Sequence, residues 1–432
     1  MANLLLFAFC LIIFLVVFIY SKCSFSAPGL FFSLSFMLSS FLFLLNTGKW
    51  HYVISDGTFI FIVASILVFL LGSIVPGNKV KSRVFVHNNV RIGTIAFILF
   101  GLIEIAGITF QVLNYLSVLK YSVTGDFSAL REYDVELPYE IYLKFLTPSI
   151  TGIAIFGIAD LFNRCGRKKG GRKKGRRKVT KLIRPIILLI GFFIYCALSS
   201  SRIEIIYLFV YFFVFYNLAL KNDRRPILSP RSILVLSIGA ALLIATFFGL
   251  GFLTGKSQDQ DSVFDNISIY ACSSIGALDC YMNEYFKYDI SNMFTQTMKG
   301  VYNFLPYLGI TKELDLSGEV NFVQVGDMSH ATNIYTCLRT PLHDFNYFGC
   351  LIFIFIEALI YDAIYKKARK AKNVTDASFV LYLYVAPFIL MSAVSERFCT
   401  SFLTITTIVF ILFMIVARRL VIKKTRVRVR AK

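Results

Sequence analysis

The chain contains eleven apolar runs long enough to cross a bilayer, near residues 3–20, 29–45, 58–76, 92–118, 139–162, 183–199, 203–220, 232–254, 345–365, 377–394 and 399–417. A hydrocarbon core about 30 Å thick takes about 20 helical residues per crossing. Within lipid every backbone amide and carbonyl has to be satisfied inside the protein, which makes helices of runs this long. The pattern predicts an all-α polytopic membrane protein with about 11 transmembrane helices. A composition that is 57% hydrophobic and 16% charged agrees, because it leaves too little polar surface for a water-soluble domain. No basic segment precedes the first run and the YSKCS that follows carries no cleavage pattern, so it is read as a helix and not as a signal peptide.

Orientation follows from lysine and arginine, since positively charged connections stay in the cytoplasm. Residues 163–184 (NRCGRKKGGRKKGRRKVTKLIR) carry twelve basic side chains and no acidic one, and 221–231, 366–372 and the tail 418–432 are also basic. With eleven alternating crossings one side collects 34 of the 45 basic residues and the other 11. The C-terminus is therefore expected in the cytoplasm and the N-terminus outside. The formal charge of +20 is then an orientation anchor in contact with anionic lipid head groups, and no nucleic-acid partner is implied. The expected organisation is 1–254 as helices 1–8 with the basic loop at 163–184, 255–343 as a large outer loop domain, 344–417 as helices 9–11, and 418–432 as a cytoplasmic tail. Aromatic and apolar spacing in the outer segment suits short amphipathic helices lying on the bundle.

Four arginines fall on the outer side, Arg131, Arg202, Arg339 and Arg397, each from a different connection, while the other seventeen are inside. Arginine against the prevailing trend calls for a reason. Its planar fork binds phosphate or carboxylate in two-point contacts that lysine cannot make. Each has an ordinary alternative as the partner of an outer carboxylate, Glu132, Glu204, Asp344 or Glu396; four at the mouth of one bundle favour an anionic ligand at the membrane surface. The remaining signals are weaker. Nine cysteines without a CxxC pair and four histidines without ligand spacing define no metal site, and whether Cys272 and Cys280 are bonded stays open. Asp259 and Asp261 form a D-x-D that reads better as a solvated loop than as metal ligands. Glu104 and Glu357 are carboxylates at membrane depth, either functional or bonded to a neighbouring helix. The chain has no P-loop, GxGxxG or GxSxG, which removes support for ATP-driven transport and serine hydrolysis.

The segment 331–353 (ATNIYTCLRTPLHDFNYFGCLIF) resembles the T-N-x-Y-T-x-L-R followed by D-F-G-x-x-G of bacterial oligosaccharide repeat unit polymerases, the Wzy type of O-antigen polymerase. Residues 199–204 (SSSRIE) are similar to that family's S-R at the opening of a membrane helix. The segment 270–281 (YACSSIGALDCY) resembles its tyrosine, small-residue and aspartate segment, and 130–134 (LREYD) its outer-loop arginine. Asn346 stands where the glycine is usual. The resemblance implies a GT-C-like architecture with a helical periplasmic loop domain in the bacterial inner membrane. It further implies a glycosyltransferase that inverts configuration, needs no metal or other cofactor, and takes undecaprenyl diphosphate-linked oligosaccharides as donor and acceptor. A chain-length regulator is implied as partner. Arg131, Arg202, Arg339 and Arg397 would bind the diphosphate, and Asp344, His343 and Glu132 are the candidates for the general base. On the residues alone, an O-antigen ligase-like transferase or a lipid-linked oligosaccharide flippase remain the rival readings.

Overall fold

The computed structural model describes residues 1–21, 26–74, 88–119, 138–165, 176–199, 203–220, 263–302, 305 and 322–422. Its regular elements are the helices α1 (Ala2–Tyr20), α2 (Pro28–Trp50), α3 (Asp56–Ile74), α4 (Thr94–Leu119), α5 (Glu140–Cys165), α6 (Arg176–Leu198), α7 (Ile203–Phe215), α8 (Val263–Cys280), α9 (Lys299–Tyr302), α10 (Arg339–Lys370), α11 (Ala377–Leu390) and α12 (Ile405–Val421). Single π-turns extend α7 over Tyr216–Leu220 and α8 over Tyr281–Tyr285, and a third precedes α12 at Phe398–Phe402. Among the described residues the only β-type pairings are isolated bridges, Val90 with Ile422 and Val323 with Thr332.

Ten of the eleven apolar runs fall on these helices, and the run 232–254 lies outside the described residues. Among the described residues six helices are long and apolar enough to cross a membrane, Ala2–Tyr20, Pro28–Trp50, Asp56–Ser73, Thr94–Ser117, Glu140–Arg164 and Arg339–Arg369. The apolar stretches Leu182–Leu198, Ile203–Leu218 and Ala377–Leu390 are shorter. Stripes of exposed apolar side chains run down the outer helices: Ile12, Val16 and Ile19 on α1; Ile95, Ile98, Leu102 and Ile105 on α4; Ile408, Leu412 and Ile415 on α12. Spacings of three and four keep each stripe on one helix face. Stripes this long are a liability in water and are the matched surface in a bilayer.

Where short helices lying on the bundle are expected, α8 is instead packed into it. Small side chains make that possible. Ser273, Ser274, Ile275, Ala277 and Leu278 are fully buried, and a Cβ at Gly276 would stand 2.4 Å from Val325 and 3.1 Å from the Phe43 ring. Polar bonds then tie α8 to α2: the Ser39 hydroxyl donates to the Ala271 carbonyl at 2.7 Å and the Asn46 amide donates to Ser268 at 3.0 Å. Such bonds between apolar helices are worth about 0.6–2 kcal/mol each.

At the opposite end, the basic side, a polar clasp holds residues 88–93. Asp160, fully buried on α5, receives the Arg164 Nε at 2.6 Å and the Ile92 amide at 3.2 Å. Arg164 also donates to the Ile92 carbonyl at 3.2 Å, Asn88 donates to the Ala159 carbonyl at 2.7 Å, and the Arg91 amide reaches the Val421 carbonyl of α12 at 2.9 Å. Removing one member of a buried ion pair leaves its partner's charge uncompensated. Asp160→Ala is therefore expected to lower stability by about 3–5 kcal/mol, measured as a loss of thermal unfolding midpoint in detergent.

Candidate functional site

The segment 322–345 is built to present one arginine. Its start is pinned by the Val323–Thr332 bridge, with N–O distances of 2.8 and 2.9 Å, and by the Asp327 amide bonded to the Trp50 carbonyl at 2.8 Å. Gly326 takes φ +52° there, and a Cβ on it would collide with the Trp50 carbonyl, so the close approach demands glycine. Thr332 meets the Ser273 hydroxyl of α8 at 3.1 Å and accepts the Ile334 amide at 3.1 Å. Thr336 accepts the Leu338 amide on its hydroxyl and the Arg339 amide on its carbonyl, both at 3.3 Å, and so closes the first turn of α10.

Arg339 opens that helix and is 7% exposed. Its guanidinium carbon lies 5.1 Å from the Tyr281 ring centre and 5.3 Å from that of Tyr335, and the two rings pack edge to face at 6.0 Å. Cation–ring contacts of this kind give about 0.5–2 kcal/mol each. Both phenols stay neutral at physiological pH: burial raises Tyr335 to about 12 and raises Tyr281, with Arg339 opposing in each case. The Arg339 Nε is sealed from solvent without a hydrogen-bond partner, and among the described residues no carboxylate stands within 4.0 Å of this cation. Tyr281 and Tyr335 hold Arg339 through contacts that the sequence leaves without a sign, although each lies inside a segment singled out for other reasons.

One turn further along, His343 lies on the same side of α10 as Arg339, at the i+4 position. Its Nδ1 is 3.0 Å from the Asp344 Oδ1. Asp344 itself is fully buried. Its oxygens accept the Gln296 amide at 3.1 and 3.2 Å, the Thr297 amide and hydroxyl at 2.7 Å each, and the Thr295 hydroxyl at 3.4 Å. A carboxylate at this distance pairs with an N–H on Nδ1, which in the neutral ring leaves the lone pair on Nε2. Of the two, His343, whose side chain is 21% exposed, is the one free to take a proton from a ligand. Asp344 orients it and fastens the turn at 295–297.

The helix breaks directly after this pair. Asn346 has φ +61° and ψ −178°, a conformation that belongs to glycine, and its Oδ1 accepts the Tyr347 amide at 2.7 Å.

Arg397 begins the π-turn Phe398–Phe402, and its Nε is likewise buried without a partner. The adjacent Glu396 spends its oxygens on the Cys399 amide at 2.7 Å and the Thr400 amide at 3.1 Å. α9, which follows the turn held by Asp344, packs on this π-turn: a Cβ at Gly300 would stand 2.7 Å from the Cys399 carbonyl. Arg131, Glu132, Arg202, Asp259 and Asp261 lie outside the described residues. Cys272 and Cys280 are free thiols eight residues apart on α8, about 12 Å along its axis at 1.5 Å per residue, too far for a disulfide. Glu104 is buried on α4 with Oε1 unbonded, and Glu357 is buried on α10; neither adjoins the residues above in sequence or by a hydrogen bond to them.

Fold and site together define an all-helical protein with several helices able to span a membrane and a buried cationic site where α10 begins. No family model matches the chain, and neither a curated protein nor a solved structure matches it.

Two substitutions separate structure from chemistry here. Asp344→Ala strips the acceptor from two buried amides and is expected to cost about 2–4 kcal/mol of stability, whereas His343→Ala should leave the unfolding midpoint nearly unchanged. Asn346→Gly relieves the backbone and should raise stability by about 1 kcal/mol, with Asn346→Ala moving it the other way, both read by thermal unfolding in detergent.

Proposed function

We propose that this chain is a polymerase of the bacterial inner membrane that joins undecaprenyl diphosphate-linked oligosaccharide repeat units into O-antigen or a related surface polysaccharide. The transfer is inverting and metal-independent and takes place at the periplasmic face. The bundle crosses the membrane eleven times in a GT-C-like arrangement, with the N-terminus periplasmic and the C-terminus cytoplasmic. The observation that carries this reading is Arg339, a cation held between two neutral aromatic rings with no carboxylate within 4.0 Å among the described residues. A buried cation without a counter-charge costs several kcal/mol, and an anionic ligand repays that cost on binding. A diphosphate already attached to the sugar offers two or more oxygens to the guanidinium fork.

In this mechanism His343 Nε2 takes the proton from the attacking sugar hydroxyl while Asp344 holds the ring through Nδ1. The hydroxyl oxygen bonds to the anomeric carbon of the donor from the face opposite the leaving group. The bond from that carbon to the diphosphate oxygen breaks, and its electron pair leaves with the diphosphate. Arg339 stabilises the charge that collects there, the kind of contribution that is usually the largest in catalysis. Arg131, Arg202 and Arg397 are assigned to the same two lipid diphosphates, donor and acceptor. Glu132 is the alternative base, and a chain-length regulator is the expected protein partner.

Three measurements test the reading. With purified protein and lipid-linked repeat units, Arg339→Ala should lose about 30- to 1,000-fold in elongation rate, equivalent to about 2–4 kcal/mol. Arg339→Lys should recover only part of the loss, and the control Arg172→Ala, on the cytoplasmic side, should cause none. Elongation should persist in excess chelator; activity that vanishes and returns with magnesium would promote Asp259 and Asp261 to ligands instead. For orientation, a cysteine at the exposed Asp327 should react with an impermeant thiol reagent from outside and one at the exposed Lys372 should not. The reverse labelling would put Arg339 on the wrong side of the membrane and end the proposal. Transbilayer movement of the lipid without elongation would move the chain to the flippase class.

A further inference from the structure

Residues 285–294, between α8 and the turn fastened by Asp344, expose five large apolar side chains, Tyr285, Tyr288, Ile290, Met293 and Phe294. Ile290 is 72% exposed, and the charged Lys287 and Asp289 alternate with the apolar residues. On a loop standing in water this density of apolar surface is a liability. The loop's aromatic contacts show how deep it reaches. Phe286 meets Tyr347 edge to face at 5.3 Å, and Tyr347 meets Phe61 in the same way at 5.3 Å. Phe61 is five residues into α3, about 7.5 Å along the axis from Asp56 at 1.5 Å per residue. The loop is therefore joined through Tyr347 to the first two turns of a helix able to span the membrane.

Its apolar surface also continues without interruption into that of a spanning helix. Phe294 meets Phe345 at 5.0 Å, and Phe345 stacks on Phe353 at 5.7 Å. From there Phe348, 76% exposed, and Ile352 and Ile356 carry the exposed face down α10 at four-residue intervals. A protein partner covering the loop would have to cover that helix as well. Mixed aromatic and charged residues at the end of a spanning segment are the composition of the head-group layer.

We infer that residues 285–294 form an interfacial anchor, with Ile290, Met293 and Phe294 among the acyl chains of the leaflet next to the Arg339 site and Lys287 and Asp289 in its head groups. Because Asp344 grips residues 295–297 immediately after the anchor, the anchor sets the height of Arg339 and His343 relative to the phosphate plane. The inference stands apart from the chemistry proposed above, and its test reads no activity.

The test places a tryptophan at Ile290 in the full-length protein, reconstituted in phosphatidylcholine vesicles with and without acyl-brominated lipid. The buried Trp50 of the parent protein supplies the background to subtract. A matching Asp327→Trp variant marks a water-exposed position on the 322–332 hairpin. The expected result for Ile290→Trp is blue-shifted emission, at least a two-fold loss of the added signal with lipid brominated near the head group, and weak quenching by acrylamide. Asp327→Trp should show the opposite pattern. Acrylamide quenching equal to that of Asp327→Trp with no effect of brominated lipid would overturn the inference, as would shielding from both quenchers, which would mean a protein cover. If Ile290→Trp fails to fold, Met293→Trp gives the same readout.

Discussion

Each break in a helix at membrane depth leaves amides that no water can satisfy, so a side chain has to close it. Buried carboxylates do most of that work in this protein. Asp344 closes the turn at 295–297, Glu396 closes the π-turn ahead of α12, and Asp160 takes the amide of Ile92. Asp279, at the end of α8, accepts the Ser55 amide and hydroxyl and the Tyr52 hydroxyl, which fixes the connection between α2 and α3. Asn346 settles its own break with its side-chain oxygen. The non-helical stretches stay ordered because acids are spent on them.

That distribution decides what surrounds the arginines. A carboxylate accepting two or three amides has its lone pairs committed and serves poorly as a counter-ion. Asp344, the nearest acid in sequence to Arg339, is committed in this way, whereas Arg397 lies within electrostatic reach of both Glu204 and Glu396. Aromatic faces hold Arg339 in their place, giving attraction without neutralising the charge. The cation is held by the rings while its Nε has no hydrogen-bond partner among the described residues.

The spans were legible in the sequence because lipid imposes a length and a polarity on each crossing, and ten of the runs coincide with helices. Their ends were less so. The run at 345–365 begins earlier, at Arg339, because Thr336 nucleates a turn upstream, and the run at 399–417 is split by a π-turn that only the Glu396 bonds explain. The aromatic and apolar spacing of α8 suits a surface element, yet Cys272 and Ser273 bond back into the helix, Ser268 accepts from Asn46 of α2, and the small side chains pack inside the bundle. Of the site, Arg339 could be picked from its place on the outer side, and the His343–Asp344 pair only through the motif resemblance. The roles of Tyr281 and Tyr335 could not, because 54 residues of chain separate two rings that touch the same guanidinium. Likewise Asp344 looked like a free acid until the turn at 295–297 was folded onto it.

The clasp at the basic end joins residues that are made at very different times. Val90 pairs with Ile422, and Arg91 donates to Val421, so the connection before the fourth helix is completed only by the final helix of the chain. During synthesis the early helices must wait in the membrane with this stretch unpaired until more than three hundred further residues have been inserted. Closure of the bundle is consequently a late step with a large loop to close, and the slow part of assembly is the arrival of the C-terminus at the N-terminal half. A chain that stops short of α12 has its earlier spans but lacks the partners of Val90 and Arg91, so this end of the bundle stays open.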